Sequence, residues 1–331
     1  MKEILITGGA GYIGSVLCKN LVELGYRITC LDNLMFNKDS IIELLKYKNF
    51  HFVNLDINDW VQMRLLLKSK KFDAVLHLAS IVGDPACKLY DELAIKTNWD
   101  SSKWLIDECR AIKIPRFIFA STCSNYGKMN NSEDYVNEDS SLSPVSLYAE
   151  LKVKVEDYIL NEIDKSEQFS PTCLRFSTVY GLSPRMRFDL TVNEFVKELS
   201  LSKPLEIYGE QFWRPYCHVN DFANAYSCVL NSDKDKIAYE VFNVGNTSEN
   251  YTKKMIITEI EKVLPNISIK YVSKFEDPRD YRVDFSKIKD DLGFISKYTV
   301  KDGILEIKEA ILNNKFINPE DQIYYNIPHS S

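Results

Sequence analysis

Short apolar or β-branched runs alternate with longer segments of helical period through the first half of the chain. The runs at 4–7, 27–31, 50–54, 74–78, 116–120 and 172–176 predict strands, several of them apolar at nearly every position, as strands covered on both faces are. Between them, 12–23, 59–68, 99–110 and 147–161 carry the period of helices. Strand and helix in alternation imply an α/β architecture, a doubly wound parallel sheet with helices on both faces. Beyond about residue 180 the rhythm changes to a helix (192–199), a strand (205–208), a helix (219–231), a short run at 242–244, a helix (252–263), a strand (267–272) and a terminal helix (300–313). This division predicts one domain over 1–178 and a smaller mixed α/β part over 179–331, with the Phe242–Val244 run returning to the first sheet.

Composition narrows the class. With 45% hydrophobic and 27% charged residues in 331, disorder and collagen-like repetition are excluded. A net charge of -6 supplies no basic footprint, so no nucleic-acid partner is expected. Eight cysteines without a CxxC pair sit mostly in apolar runs, which suits buried thiols in a reducing cytoplasm. Four histidines, at 51, 77, 218 and 329, show no ligand-like clustering, and no metal site is expected. The strand-like run begins at Ile4, leaving no room for a signal peptide, and no apolar stretch reaches the ~18 residues of a membrane span. The polar segment 314–331, with Pro319 and Pro328, reads equally as a loose arm or a partner contact.

Chemistry enters at Thr7-Gly8-Gly9-Ala10-Gly11-Tyr12-Ile13-Gly14, between the first strand and the first helix. Glycines at 8, 11 and 14 permit a tight turn and close approach to a pyrophosphate, while the helix start at Tyr12 and Ile13 offers unpaired N–H groups. The second strand ends at Asp32-Asn33, where a carboxylate accepts hydrogen bonds from an adenosine ribose. Together they predict a Rossmann dinucleotide site, and because Asp32 repels a 2′-phosphate, NAD is favoured over NADP. Asp56-Ile57, after the third strand, either fixes the adenine or caps the helix beginning near Asp59.

Tyr148 and Lys152 stand four apart, on one face of a helix. With the opening turn, Leu78-Ala79-Ser80, Ser121-Thr122, the stretch from Arg214 to Asp221, Phe242-Asn243-Val244-Gly245 and Asp277-Pro278-Arg279-Asp280-Tyr281, the chain resembles the extended short-chain dehydrogenase/reductase family of nucleotide-sugar epimerases and dehydratases. The resemblance implies that the first domain binds NAD and the second part binds a nucleotide-diphosphate sugar. It implies that Tyr148 is the general base, that Lys152 donates to the nicotinamide ribose, and that Thr122 bonds the reacting sugar oxygen. Leu78, Ala79 and Ser80 would border the cofactor, Asn98 would prop the site, and Phe176 to Gly181, Val179 included, would line the nicotinamide pocket. Arg214 and Arg279 would grip the substrate diphosphate, although Pro215 stands where the family usually has aspartate. His218 would orient its loop, and a homodimer would form through the helices at 99–110 and 147–161.

A tyrosine with pKa near 10 needs a shift of about 3 units, or ~4 kcal/mol, to ionise at neutral pH. One ammonium at about 5 Å and an effective dielectric of ~20 contributes roughly 3 kcal/mol before desolvation opposes it. Lys152 alone is marginal, so Tyr148 is expected to become a stronger acid when NAD⁺ binds.

The outcome of C4 oxidation is then read from neighbouring groups. Dehydratases of this family carry an Asp-Glu pair after the catalytic threonine, whereas this chain has Cys123-Ser124, so dehydration is disfavoured. Cys123 is either an acid/base beside the ketone or a small buried thiol. The stretch 179–190, containing Arg187, together with Asn193, resembles a bacterial subgroup that includes a GDP-heptose 4-dehydrogenase of capsule biosynthesis. The expectation is therefore C4 oxidation of a nucleotide-diphosphate sugar to a 4-keto product for surface polysaccharide, with C4 epimerisation as the alternative. A cofactor-sensing protein without chemistry is disfavoured by the joint presence of Thr122, Tyr148 and Lys152.

Overall fold

The computed structural model describes residues 2–36, 39–129, 134–272 and 279–327. Asp277 and Pro278, Pro328 and His329, and the rest of the chain after Ile327 lie outside them. Seven strands, β1 (Glu3–Thr7), β2 (Arg27–Asp32), β3 (Phe50–Asn54), β4 (Ala74–His77), β5 (Arg116–Thr122), β6 (Ser170–Phe176) and β10 (Glu240–Val244), form one sheet in the order β10-β6-β5-β4-β1-β2-β3. Every pairing in it is parallel. Side chains alternate along β1, so Ile4 and Ile6 join one apolar cluster with Leu17, Leu21, Phe222 and Tyr226, while Leu5 joins another with Leu105, Ile106, Phe117 and Val155. Both faces of the strand are therefore buried, which is why it reads as a continuous apolar run.

The strand order reverses between β1 and β4, which opens a crevice at the carboxyl ends of the strands. Beyond the sheet, β7 (Thr178–Tyr180), β9 (Trp213–His218) and β11 (Asn250–Thr252) make a small sheet, and β8 (Leu205–Tyr208) pairs with β12 (Ile269–Val272). The strand β9 escapes hydrophobic patterning because Arg214 and Pro215 interrupt it. Pro215 is accommodated where pairing changes partner, since Trp213 to Pro215 face β11 while Tyr216 to His218 face β7.

Two predicted helices loosen at one end. The helix Leu147–Asp157 runs into a wide π turn at Tyr158–Glu162, and another such turn, Lys96–Asp100, precedes the helix Ser101–Ala111. The described part of the polar tail, through Ile327, packs on its own chain. Lys197 donates to the Tyr325 hydroxyl (2.7 Å), Tyr324 accepts from the Phe188 backbone (2.9 Å), and Asn326 bridges Asp189 (3.4 Å) and the carbonyl of Val82 (3.5 Å). Among the described residues no helix is long and apolar enough to cross a membrane. The eight cysteines are free thiols, and all but Cys228 are buried.

Candidate active site

The turn after β1 is built for close approach. Gly8 has φ +71°, and a Cβ on it would stand 2.7 Å from the backbone nitrogen of Ala79, while one on Gly14 would meet the Gly8 carbonyl at 2.2 Å. The helix Tyr12–Glu23 starts with Gly11 as its N-cap and no side-chain cap, so its first N–H groups face the crevice. Asp32, at the end of β2, accepts from the backbone nitrogens of Ala10 (3.0 Å) and Leu34 (2.9 Å), which fixes its carboxylate at the edge of the turn. Burial raises its pKa against those two bonds.

One cavity runs along this crevice. Gly8, Gly11, Tyr12, Ile13, Gly14, Asp32, Asn33, Asp56 and Ile57 line one end of it. Leu78, Ala79, Ser80, Thr122, Ser124, Tyr148, Lys152, Phe176, Val179, Arg187 and Arg279 continue the wall. Asp56 accepts from Asn33 (3.0 Å) and from the backbone of Asn58 (2.8 Å). The cap of the helix Trp60–Ser69 is Asp59, through the Gln62 nitrogen, so the capping alternative for Asp56 falls away.

Tyr148 sits in the first turn of the helix Leu147–Asp157, whose N-cap Ser146 accepts from Ala149, and Lys152 follows one turn later. The Lys152 ammonium lies 5.7 Å from the Tyr148 ring centroid and 4.7 Å from that of Phe119. It donates to the Ala120 carbonyl at 2.8 Å, which leaves two of its three N–H groups unspent by that bond. Burial pushes the Lys152 pKa down to about 8. Burial also pushes the Tyr148 phenol above its ordinary value, with smaller contributions from Cys87 and, in the opposite sense, Arg187. The Thr122 hydroxyl accepts from the Ser124 nitrogen at 3.1 Å, so its own proton is available to an acceptor in the cavity.

Four expected residues stand behind the wall. The Cys123 thiol is 1% exposed and donates to the Arg175 carbonyl (3.2 Å), and burial raises its pKa, so it is the buried thiol and not an acid/base. Asn193 is buried and spends its amide on the Gly181 nitrogen (3.0 Å), the Tyr12 hydroxyl (3.0 Å) and the Arg187 carbonyl (2.9 Å); it shapes the loop and does not face a substrate. Arg214 lies over the Tyr281 ring, 5.3 Å from its centroid, and donates to the Trp213 carbonyl, which puts it behind the tyrosine that lines the cavity. Asn98 is also buried off the wall, and it clamps the Ile81 backbone through both carbonyl and N–H (2.9 and 2.8 Å).

Two of the expected arginines keep a place on the wall: Arg187, held bidentate by Asp189 (2.9 and 2.7 Å), and Arg279, paired with Asp84 at 3.0 Å. His218 is buried between Glu306 (2.8 Å) and the Asn220 nitrogen (3.2 Å), a positioning role for its loop. Thr178 lies on the wall with Phe176 and Val179 of the Phe176 to Gly181 stretch, whereas sequence reasoning missed Arg185 and Asn326 as wall residues. Arg185 lay inside a stretch already singled out, whereas nothing in the local pattern marks Asn326.

The cavity fits a dinucleotide. A Cβ-intolerant turn, an uncapped helix start and an anchored carboxylate meet a diphosphate and a ribose at one end, and a Tyr-Lys pair stands at the other. Comparison with known proteins agrees. The family model described as NAD dependent epimerase/dehydratase family matches residues 4–245. An uncharacterized protein of Methanocaldococcus jannaschii is 30% identical over 326 residues, 95% of this chain and 97% of that one. An uncharacterized UDP-glucose epimerase of Bacillus subtilis is 28% identical, over 91% of this chain and 95% of its own. The crystal structure of UDP-glucuronic acid 4-epimerase from Bacillus cereus, in complex with UDP-glucuronic acid and NAD, is similar with TM-score 0.81 and 27% identity, over 94% of this chain and 99% of that one. The chain belongs to the NAD-dependent epimerase/dehydratase family, enzymes that modify nucleotide sugars, and NAD is its cofactor.

Proposed function

We propose that the protein inverts C4 of a nucleotide-diphosphate sugar, oxidising and re-reducing that carbon within one site. This replaces the expectation of oxidation ending at the ketone. What carries it is the cavity's acid/base inventory, which disfavours dehydration, together with the names of relatives, which favour inversion over a halt at the ketone. Among the described lining residues the carboxylates are Asp32 and Asp56, both at the glycine-turn end, and Cys123 is turned away. Eliminating water across C5 and C6 needs an acid and a base beside the sugar, and among the described lining residues the Tyr-Lys end supplies no carboxyl group. Inversion at C4 needs only one group that takes the hydroxyl proton and returns it. Several relatives support the same reading, three of them being named UDP-sugar 4-epimerases and another a UDP-glucose epimerase.

Held between the glycine turn and the Tyr148–Lys152 pair, NAD⁺ would supply the hydride acceptor and donor for C4. Tyr148 takes the C4 hydroxyl proton and later returns it. Thr122 donates its hydroxyl proton to the C4 oxygen, and Lys152 holds the nicotinamide ribose and favours the phenolate. Arg279 and Arg187 offer guanidinium groups to the substrate diphosphate.

The test is incubation with UDP-glucose, UDP-galactose and UDP-glucuronic acid, following the C4 proton by NMR and NADH by absorbance. An epimer without lasting NADH is the expected result. Lasting NADH with a ketone would return the protein to the dehydrogenases, and no turnover of any sugar nucleotide would leave a cofactor-sensing protein.

A further inference from the structure

Arg185 is the most deeply buried cation on the cavity wall that the proposed reaction leaves without a task. It is 2% exposed. One nitrogen, Nη2, donates to the Tyr325 carbonyl at 3.3 Å, while Nε and Nη1 are buried with no hydrogen-bond partner among the described residues. The guanidinium lies over the Phe36 ring, 4.9 Å from its centroid. Its electrostatic neighbours are Arg187, Asp189, Asp32 and Tyr12, and burial with the Arg187 charge pushes its pKa down to about 10. Neither acid neutralises it directly. Asp32 spends its oxygens on Ala10 and Leu34, and Asp189 holds Arg187.

A planar cation buried with two idle donors is costly unless an anion completes it. The place where that anion must lie is narrow: between Asp32, at the ribose end, and Tyr12, at the start of the helix whose free N–H groups face the same space. That is where a dinucleotide's diphosphate crosses the strand ends. We propose that Arg185 is a cofactor-binding residue whose Nε and Nη1 donate to a phosphate oxygen of the NAD diphosphate, from the side opposite the glycine turn. The grip closes a ring around the coenzyme. Tyr325 fixes the guanidinium through its carbonyl and is itself tied down by Lys197 through its hydroxyl, so the C-terminal segment becomes the back support of a phosphate contact. The inference rests on NAD being the cofactor and stands whichever reaction follows.

The test measures affinity directly, by calorimetry with NAD⁺, ADP-ribose, adenosine and UDP-glucose, on wild type, R185M and R185K, with folding checked by circular dichroism. Charge-assisted hydrogen bonds of this kind predict ~10- to 100-fold weaker NAD⁺ and ADP-ribose binding in R185M, with adenosine and UDP-glucose changed less than about threefold. R185K keeps the charge but loses the fork, and at least about fivefold weaker NAD⁺ binding is expected; this variant decides the matter if R185M does not fold. Undiminished NAD⁺ binding overturns the proposal. So does a loss that falls equally on adenosine, which would mean general distortion, or one that falls on UDP-glucose instead, which would assign the arginine to the substrate's diphosphate.

Discussion

The two ends of the cavity are built on different principles. At the glycine-turn end, recognition is a property of the backbone: Gly8 and Gly14 admit no Cβ, the helix at Tyr12 starts uncapped, and Asp32 is pinned by two backbone N–H groups. At the Tyr148 end, side chains from β5, the helix Leu147–Asp157, β7 and the Arg279–Tyr281 loop converge, and the deciding quantity is charge in a buried place. Burial drives the two key groups toward their neutral forms, raising the Tyr148 phenol and lowering Lys152 to about 8. The backbone of the cofactor end is thus set in the protein alone. The chemical end opposes the phenolate in the protein alone, and on the proposed reaction the pyridinium charge is expected to make coenzyme binding and base activation one event.

The comparison can be broken most sharply at Tyr148. Tyr148→Phe is expected to lower kcat by ~10³- to 10⁴-fold while NAD⁺ affinity stays within about threefold, measured by turnover and calorimetry on the same preparation. A parallel loss of coenzyme affinity would mean that the two ends are not separable. Gly14→Ala is the mirror experiment. Its Cβ would meet the Gly8 carbonyl at 2.2 Å. The turn must shift, and NAD⁺ binding is expected to weaken by ~100-fold or more.

A smaller effect, of opposite sign for stability, is expected at Lys152. Its folded pKa of about 8 lies below the unfolded value of 10.5, so the unfolded chain holds more proton between those limits. Wild-type stability therefore gains as pH rises from about 8 to about 10.5, and the cost of the buried charge is fully present below that window. Lys152→Met is expected to abolish turnover yet raise the unfolding free energy at pH 7 by ~1–3 kcal/mol, the gain fading toward pH ~10.5 in chemical denaturation. The smallest effect is expected at Cys123, whose thiol faces the Arg175 carbonyl. Cys123→Ala should leave kcat within about threefold, since the group does not reach the sugar.

Legibility in the sequence followed the same division. The parallel sheet was readable because β1 to β6 are short apolar runs separated by amphipathic helices, and the coenzyme turn because its glycines and Asp32 are near neighbours in the chain. The small sheet was not, because β9 carries Arg214 and Pro215 and its pattern resembles a loop. At the chemical end, Thr122, Tyr148 and Lys152 could be named from spacing and resemblance. Which side of the wall Cys123, Asn193 and Arg214 occupy depends on packing that no local period encodes. Asn326 reaches the cavity only because the tail folds back over Asp189 and Val82, a contact between residues far apart in the chain.

The most direct measurement is the ultraviolet phenolate titration of wild type minus Tyr148→Phe, recorded with and without NAD⁺. Without coenzyme, the buried phenol should remain protonated past the ordinary tyrosine value of about 10. With NAD⁺ bound, its ionisation should move into the neutral range, by about 3 units or more. A difference curve that is the same with and without NAD⁺ would contradict the account.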